Sequence, residues 1–138
     1  MNPPPPAALL RLLYVEDNRL CALLFEEAIR LRAGAEVRLA EDSAEALDQV
    51  RDWRPDVLVL DAHLPGIDGY ALLDLLRREA ALHDVPAFMC SADALPEDLD
   101  RAARAGFAGY WSKPIDVARI MGDLERVRAG MAVEAAGK

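Results

Sequence analysis

Five short apolar segments alternate with five helical segments along this chain, and this alternation limits its fold more than any other feature. The apolar segments span residues 10–16, 35–40, 57–60, 86–91 and 109–112. The segments between them place apolar residues three and four positions apart, as amphipathic helices do. Strands that alternate with helices form a parallel sheet covered on both faces. The pattern therefore predicts an α/β fold with five parallel strands.

Local signals predict where the helices begin and end. The first helix is predicted over residues 18–31, with an apolar stripe formed by Leu20, Leu24, Ala28 and Leu31. Asp42 is predicted to cap the second helix, with Glu45 completing a capping box. Pro96 suits the first turn of the fourth helix, and Gly106 is expected to end it in a left-handed conformation.

The length and charge of the chain exclude several classes of protein. Its 138 residues suit one domain, predicted at 10–128, with a flexible proline-rich lead-in at 1–9 and a frayed tail at 129–138. A net charge of −8 argues against direct binding of nucleic acid. No apolar run approaches the ~20 residues of a membrane span, so no membrane insertion is expected. The start lacks the features of a signal peptide, which predicts a cytoplasmic location.

Polar side chains follow the predicted strands at the points where the strands end. The first strand ends in Glu16 and Asp17, the third in Asp61, the fourth in Ser91 and the fifth in Lys113. Because parallel α/β sheets bind ligands at the carboxyl ends of their strands, these groups are expected to meet at one edge. A buried carboxylate there needs a metal, a partner or a reaction.

The three acids of this set predict a divalent cation. Carboxylates packed together repel one another, and they do not all stay ionised at neutral pH without a cation. Mg²⁺ commonly takes one or two carboxylates together with water and phosphate oxygens. The ammonium of Lys113 suits a carboxylate or a phosphoryl oxygen.

Four motifs together resemble the receiver domain of two-component response regulators. They read LLYVEDN, LVLDAHLPGIDG, FMCSADA and YWSKP, they occur in the family's order, and they cover roughly residues 10 to 128. The resemblance implies a flavodoxin-like, doubly wound (βα)5 three-layer sandwich with strand order 2-1-3-4-5. It also implies a phosphorelay function.

The resemblance assigns a role to each residue at the strand ends. Asp61 matches the aspartate that accepts a phosphoryl group from a phosphohistidine, as an activated nucleophile. Mg²⁺, for which Mn²⁺ may substitute, is implied at Glu16, Asp17, Asp61 and the backbone carbonyl of His63.

Three further residues match the parts of the family that contact the phosphoryl group or respond to it. Ser91 matches the hydroxyl that bonds the new phosphoryl oxygen, and Lys113 the ammonium that contacts it. Tyr110 matches the aromatic residue that swings inward as a switch, although a half-buried structural tyrosine is nearly as good a reading. The Lys113–Pro114 bond matches one that is usually cis.

The partners implied are a sensor histidine kinase or a histidine phosphotransfer protein upstream and a protein target downstream. The downstream face is expected on the fourth helix, fifth strand and last helix, with apolar surface from Ala103, Phe107, Trp111 and Ile115. Trp111 is interpreted as surface packing or a partner contact. The side chains of His63 and Asp93 are expected to tune reaction rates.

Alternative functions stay open at this point. A phosphatase of the haloacid dehalogenase type also uses an aspartyl nucleophile and Mg²⁺, but it needs a second aspartate where this chain has His63. A pseudo-receiver would bind a partner without phosphorylation. The receiver reading predicts no enzyme beyond the chain's own phosphorylation and dephosphorylation. The chain is read either as a stand-alone regulator or as the receiver segment of a hybrid sensor histidine kinase.

Overall fold

A five-stranded parallel sheet forms the centre of the computed structural model, which describes residues 9–92 and 95–136. The strands lie in the order β2-β1-β3-β6-β7, and a separate short hairpin, β4-β5, follows β3. Their bounds are Leu10–Val15 (β1), Ala35–Ala40 (β2), Val57–Asp61 (β3), His63–Leu64 (β4), Ile67–Asp68 (β5), Ala87–Ser91 (β6) and Gly109–Ser112 (β7). Without the hairpin, this order is 2-1-3-4-5, so the predicted flavodoxin-like topology is confirmed.

Helices cover both faces of the sheet. Their bounds are Arg19–Ala33 (α1), Ser43–Gln49 (α2), Gly69–Ala80 (α3), Pro96–Arg104 (α4) and Val117–Ala136 (α5). Buried residues of α1 and α5 share one apolar cluster with β1, β3 and β6, and those of α2, α3 and α4 share the other. Each strand of the five-stranded sheet contributes to both clusters because successive side chains point to opposite faces.

The helix predicted at 18–31 is confirmed, but the apolar stripe that indicated it is not the face that packs on the sheet. Leu20 is 67% exposed and Leu24 is 60% exposed, whereas Phe25 and Ile29 are buried. Ala28 is half-buried, and the side chain of Leu31 lies outside the described residues. The helix carries apolar residues on two faces, so spacing alone does not select one. The sheet selects the face with the aromatic residue, because the Phe25 ring packs 4.4 Å from that of Tyr14.

The predicted helix caps and ends are confirmed, except that the Glu45 carboxylate accepts from a different backbone N–H. The side chain of Asn18 caps α1, and that of Asp42 accepts a hydrogen bond from the backbone N–H of Glu45. The Glu45 carboxylate accepts from the N–H of Glu41, one residue before the expected donor. Gly106 has the left-handed conformation, with φ of 100°.

Two residues expected at the surface are buried. Trp111 is 2% exposed, stacks on Phe88 at 4.5 Å, and donates from Nε1 to Asp123 Oδ2 at 2.7 Å. Phe107 is 6% exposed and packs edge-on against the ring of Tyr70. Large aromatic side chains gain most from burial, and Asp123 satisfies the indole N–H. Neither residue can contribute to the expected downstream surface.

Helix α5 continues beyond the expected end of the domain at residue 128. It runs to Ala136, through a segment predicted to fray. That segment is rich in alanine, the strongest helix former, which favours continuation. In the ranges 9–92 and 95–136, no helix is long and apolar enough to cross a membrane.

Candidate functional site

The sheet brings the predicted site residues to one edge. Glu16 directly follows β1, Asp61 ends β3, Ser91 ends β6 and Lys113 directly follows β7. The strands are parallel and in register, with Asp61 beside Cys90 on the neighbouring strand. Residues at the carboxyl ends of adjacent strands therefore lie side by side, as the sequence predicted.

Three carboxylates cluster at this edge. One ligand atom each from Glu16, Asp17 and Asp61 lies within 4.8 Å of the others. Glu16 and Asp61 are buried, and Asp17 is exposed. Glu16 Oε2 is buried without a hydrogen-bond partner among the described residues. An orphaned oxygen within a group of oxygen-only donors fits a hard divalent cation such as Mg²⁺.

Lys113 supplies the positive charge of the site. Its Nζ donates to Glu16 Oε1 at 2.9 Å and lies 3.5 Å from Asp61 Oδ2. Burial opposes the charged form of this lysine, but the hydrogen bond to Glu16 and the charge of Asp61 outweigh it, and the pKa of Lys113 is raised. The lysine therefore stays protonated at neutral pH.

The carboxyl group of Glu16 is strongly affected by its surroundings. Burial, followed by its contact with Asp61, raises the pKa of Glu16 to about 7, and the hydrogen bond from Lys113 offsets this only in part. Near neutral pH, Glu16 therefore exchanges between its protonated and ionised forms. A bound cation would favour the ionised form.

The turn after β3 holds the Asp61 carboxylate from behind. The backbone N–H of His63 donates to Asp61 Oδ1 at 3.3 Å. Gly69 begins α3 so close to the strand that a Cβ there would lie 2.8 Å from the carbonyl oxygen of Asp61 and 2.8 Å from Met89 Sδ. Only glycine fits this approach without a shift of its neighbours. The role of the His63 carbonyl as a metal ligand stays a prediction.

Ser91 and Tyr110 lie together beneath the site. Ser91 is 1% exposed and Tyr110 is 5% exposed, and both line a small cavity beside His63. Tyr110 is thus buried in this structure, and its role as a switch stays a prediction. The Lys113–Pro114 bond is cis, as expected.

Comparison with known proteins identifies the family of this chain. The family model of the response regulator receiver domain matches residues 12–125, most of the chain. This chain belongs to the response regulator receiver domain family. The receiver fold accounts for the strand order and for the acids at the strand ends.

Relatives and solved receiver domains agree with this assignment. The polar-differentiation response regulator DivK of Brucella anthropi is 34% identical over 109 residues, which cover 79% of this chain and 88% of DivK. A putative response regulator from Chloroflexus aurantiacus is 32% identical with a TM-score of 0.79, over 88% of this chain and 98% of that one. The receiver domain of the sensor histidine kinase PA1611 from Pseudomonas aeruginosa is 30% identical with a TM-score of 0.75, over 86% of this chain and 97% of that one. The PA1611 structure has a magnesium ion coordinated in its active-site cleft.

One pair of residues that lies near the site was not singled out by the sequence analysis. The guanidinium carbon of Arg101 on α4 lies 4.0 Å from the centroid of the Tyr70 ring on α3. Nothing in the spacing of either helix predicts this contact, because it depends on how α3 and α4 pack. Asp93, expected to tune rates, lies outside the described residues.

Proposed function

We propose that this receiver domain takes a phosphoryl group onto Asp61 from a phosphohistidine of a sensor histidine kinase or a histidine phosphotransfer protein. One observation carries the proposal. The buried Asp61 carboxylate lies 3.5 Å from the ammonium of Lys113 and within the cluster of carboxylates that fits a divalent cation. A nucleophile between two sources of positive charge suits phosphoryl transfer, which depends mainly on positioning and charge stabilisation.

The transfer itself is a displacement at phosphorus. An oxygen of the Asp61 carboxylate attacks phosphorus and forms an O–P bond. The N–P bond of the donor breaks, and its electron pair goes to the imidazole nitrogen, so that the ring, protonated on its other nitrogen, leaves neutral. Lys113 offsets negative charge on the transferring oxygens, and the N–H of His63 orients Asp61.

Mg²⁺ is the cofactor that this proposal requires, and Mn²⁺ is expected to substitute for it. Glu16, Asp17, Asp61 and the His63 carbonyl would hold the ion, which supplies positive charge for the phosphoryl oxygens when bound. The orphaned Glu16 Oε2 supports this assignment, because a buried carboxylate oxygen without a donor is costly.

Ser91 and Tyr110 are proposed as the residues that respond to the modification. The aspartyl phosphate carries about −1.5 to −2 charge, in place of the −1 of the free carboxylate, and presents three acceptor oxygens at Asp61. The Ser91 hydroxyl would donate to one of these oxygens. Because Tyr110 is buried already, its response would be a change of hydrogen-bond partner within the cavity rather than an inward swing.

The exposed leucines of α1 support a docking surface for the phosphodonor. Leu20, Leu23 and Leu24 are 67%, 43% and 60% exposed and lie on the first two turns after Asp17. A protein that brings a phosphohistidine to Asp61 must cover the neighbouring surface. Apolar side chains grouped there suit a partner's apolar helix face.

The downstream partner is proposed to bind the face of α4, β7 and α5. With Phe107 and Trp111 buried, the apolar side chains that this face offers are Leu95, 58% exposed, and Leu99, 41% exposed, next to Ala103. The target is proposed to be a protein and not nucleic acid, since the chain's net charge is −8. The domain is proposed to be cytoplasmic and to catalyse only its own phosphorylation and dephosphorylation.

Incubation with acetyl phosphate and Mg²⁺ tests the proposal. Intact-mass spectra should show one added phosphoryl group, stable in acid and labile in base as an acyl phosphate is. Asp61→Asn should abolish it. Asp74→Asn is the matched control, because Asp74 lies on α3 in a surface ion pair with Arg78 and should not affect the modification.

Any other result of the acetyl phosphate experiment would favour a different acceptor or a different function. Equal modification of the parent and of Asp61→Asn would place the acceptor elsewhere. No modification of either protein with added Mg²⁺ would favour a pseudo-receiver. Continuous release of phosphate at many turnovers per minute would favour a phosphatase.

A further inference from the structure

A cation rests on an aromatic ring beside the proposed phosphoacceptor site. The guanidinium of Arg101, in the middle of α4, lies 4.0 Å from the centroid of the Tyr70 ring, near the start of α3. In the described part of the chain, no carboxylate lies within ion-pair distance of Arg101. The Tyr70 ring is therefore the partner that holds this guanidinium, through a cation–π contact.

The same guanidinium borders the cavity that contains Ser91. This cavity has a volume of about 130 Å³. It is lined by Ala62, His63, Asp68, Tyr70, Ser91, Asp98, Arg101 and Tyr110. Ala62 and His63 directly follow Asp61 in the chain, so one side of the cavity adjoins the acceptor. Space for roughly four water molecules is also space for a guanidinium group.

Arg101 is the one lysine or arginine among these lining residues. Asp68 and Asp98 accept backbone hydrogen bonds, from Ala71 and Leu95, and are held as helix-capping groups. The ammonium of Lys113 makes its shorter contact to Glu16 and its longer one to Asp61. A phosphoryl group at Asp61 would therefore bring extra negative charge near a cation that no carboxylate in the ranges 9–92 and 95–136 holds.

We propose that Arg101 is a second cation for the phosphoryl group, resting on Tyr70 while Asp61 is unmodified and turning into the cavity toward the phosphoryl oxygens after transfer. This rests on the proposed function of Asp61. Hydrogen bonds between arginine and phosphate oxygens are charge-assisted and stronger than a contact with a half-exposed ring. No bond forms or breaks at Arg101, whose guanidinium would contact the phosphoryl oxygens directly.

Movement of the Arg101 side chain would also move helix α4. While the guanidinium lies on Tyr70, it ties α4 to α3. Its departure removes that tie and draws the middle of α4 toward the site. The exposed Leu95 and Leu99 lie on or next to the same helix, so their arrangement changes with it. Arg101 thus links the charge at Asp61 to the proposed downstream surface.

Proton NMR of the whole chain tests this movement, with beryllofluoride and Mg²⁺ as the mimic of the aspartyl phosphate. The side-chain protons of Arg101 should be shifted upfield by the Tyr70 ring in the unmodified protein and should lose that shift on addition of beryllofluoride. Tyr70→Leu should lack the shift in both states. A shift that persists with beryllofluoride bound would overturn the proposal.

Affinity for beryllofluoride measures independently how much the charge of Arg101 contributes to binding at Asp61. Arg101→Met keeps the length of the side chain and removes the charge, so beryllofluoride should bind about tenfold more weakly. Arg104→Met is the matched control, because Arg104 lies on the same helix in a surface ion pair with Asp100 and does not line the cavity. Equal affinity of Arg101→Met and the parent would overturn the proposal.

The two proposals fail in distinguishable ways. If the parent chain forms no adduct at Asp61, measured by fluorine NMR, both the proposed function and the role of Arg101 are wrong. If the adduct forms while Arg101 stays on Tyr70, the proposed function stands and only this inference falls.

Discussion

Lys113 donates a hydrogen bond, 2.9 Å long, to Glu16 and not to the proposed phosphoacceptor. Its distance to Asp61 Oδ2 is 3.5 Å. Glu16 thus belongs both to the lysine's ion pair and to the cluster of acids that fits a divalent cation. A cation bound to Glu16 would weaken the hydrogen bond between Glu16 and Lys113. Among the described residues, Asp61 would then be the nearest carboxylate to the lysine. Binding of the metal and placement of the lysine are therefore coupled through one carboxylate.

Removal of one acid should weaken metal binding without unfolding the domain. Asp17→Asn should raise the dissociation constant for Mn²⁺ about tenfold or more, because a charged ligand becomes neutral. Electron paramagnetic resonance of free Mn²⁺ measures this directly. Glu79→Gln, at the far end of α3, is the control and should bind as the parent does. Unchanged affinity in Asp17→Asn would show that the cluster is not the metal site.

The pKa of Glu16 predicts how stability depends on pH without metal. A carboxyl group whose folded pKa is raised binds protons more readily in the folded than in the unfolded state. Between its ordinary pKa of 4.5 and the folded value of about 7, rising pH should therefore destabilise the protein. The size of this loss is about 1–3 kcal/mol.

Urea unfolding in the presence of EDTA at pH 5 and pH 8 measures this effect. Glu16→Gln should lose less stability than the parent over the same interval, since it cannot titrate. Mg²⁺ should stabilise the parent more at pH 8 than at pH 5, because it binds the ionised form. An identical pH dependence in the parent and in Glu16→Gln would contradict the raised pKa.

Gly69→Ala should destabilise the domain by about 1–3 kcal/mol. The added methyl group would lie 2.8 Å from the backbone oxygen of Asp61, which cannot move without displacing the site. Gly122→Ala is the matched control, since a methyl group there meets nothing within 4 Å and favours the helix. Thermal unfolding should thus shift in opposite directions in the two variants. An unchanged stability of Gly69→Ala would show that the turn has room for a methyl group.

Two substitutions on α1 should separate its buried face from its exposed face. Phe25→Ala should cost about 3–5 kcal/mol, because it empties the space beside the rings of Tyr14 and Trp111. Leu24→Ala should stay within about 0.5 kcal/mol. Chemical denaturation of the two variants measures the difference. Comparable losses would show that the face of α1 with Leu24 is also packed in the core.

The same α1 residues show where sequence patterns stop being informative. Leu20 and Leu24 share the spacing of a buried stripe, and so do Phe25 and Ile29. Periodicity recognises a helix from either set, but only the sheet beneath decides which face packs. Trp111 was misplaced for a related reason, since its partner Asp123 lies on a different element and becomes adjacent only when α5 packs.

The sequence by itself determined the elements, their order and the chemical character of the site. Short-range rules suffice for these, because strand length, caps and turns depend on neighbouring residues, and parallel strands must end at a common edge. The tertiary structure alone decided which carboxylate holds Lys113, that Tyr110 is buried, and that Arg101 lies on Tyr70. These contacts join residues on different elements. Their geometry depends on how helices pack on the sheet, which no local pattern encodes.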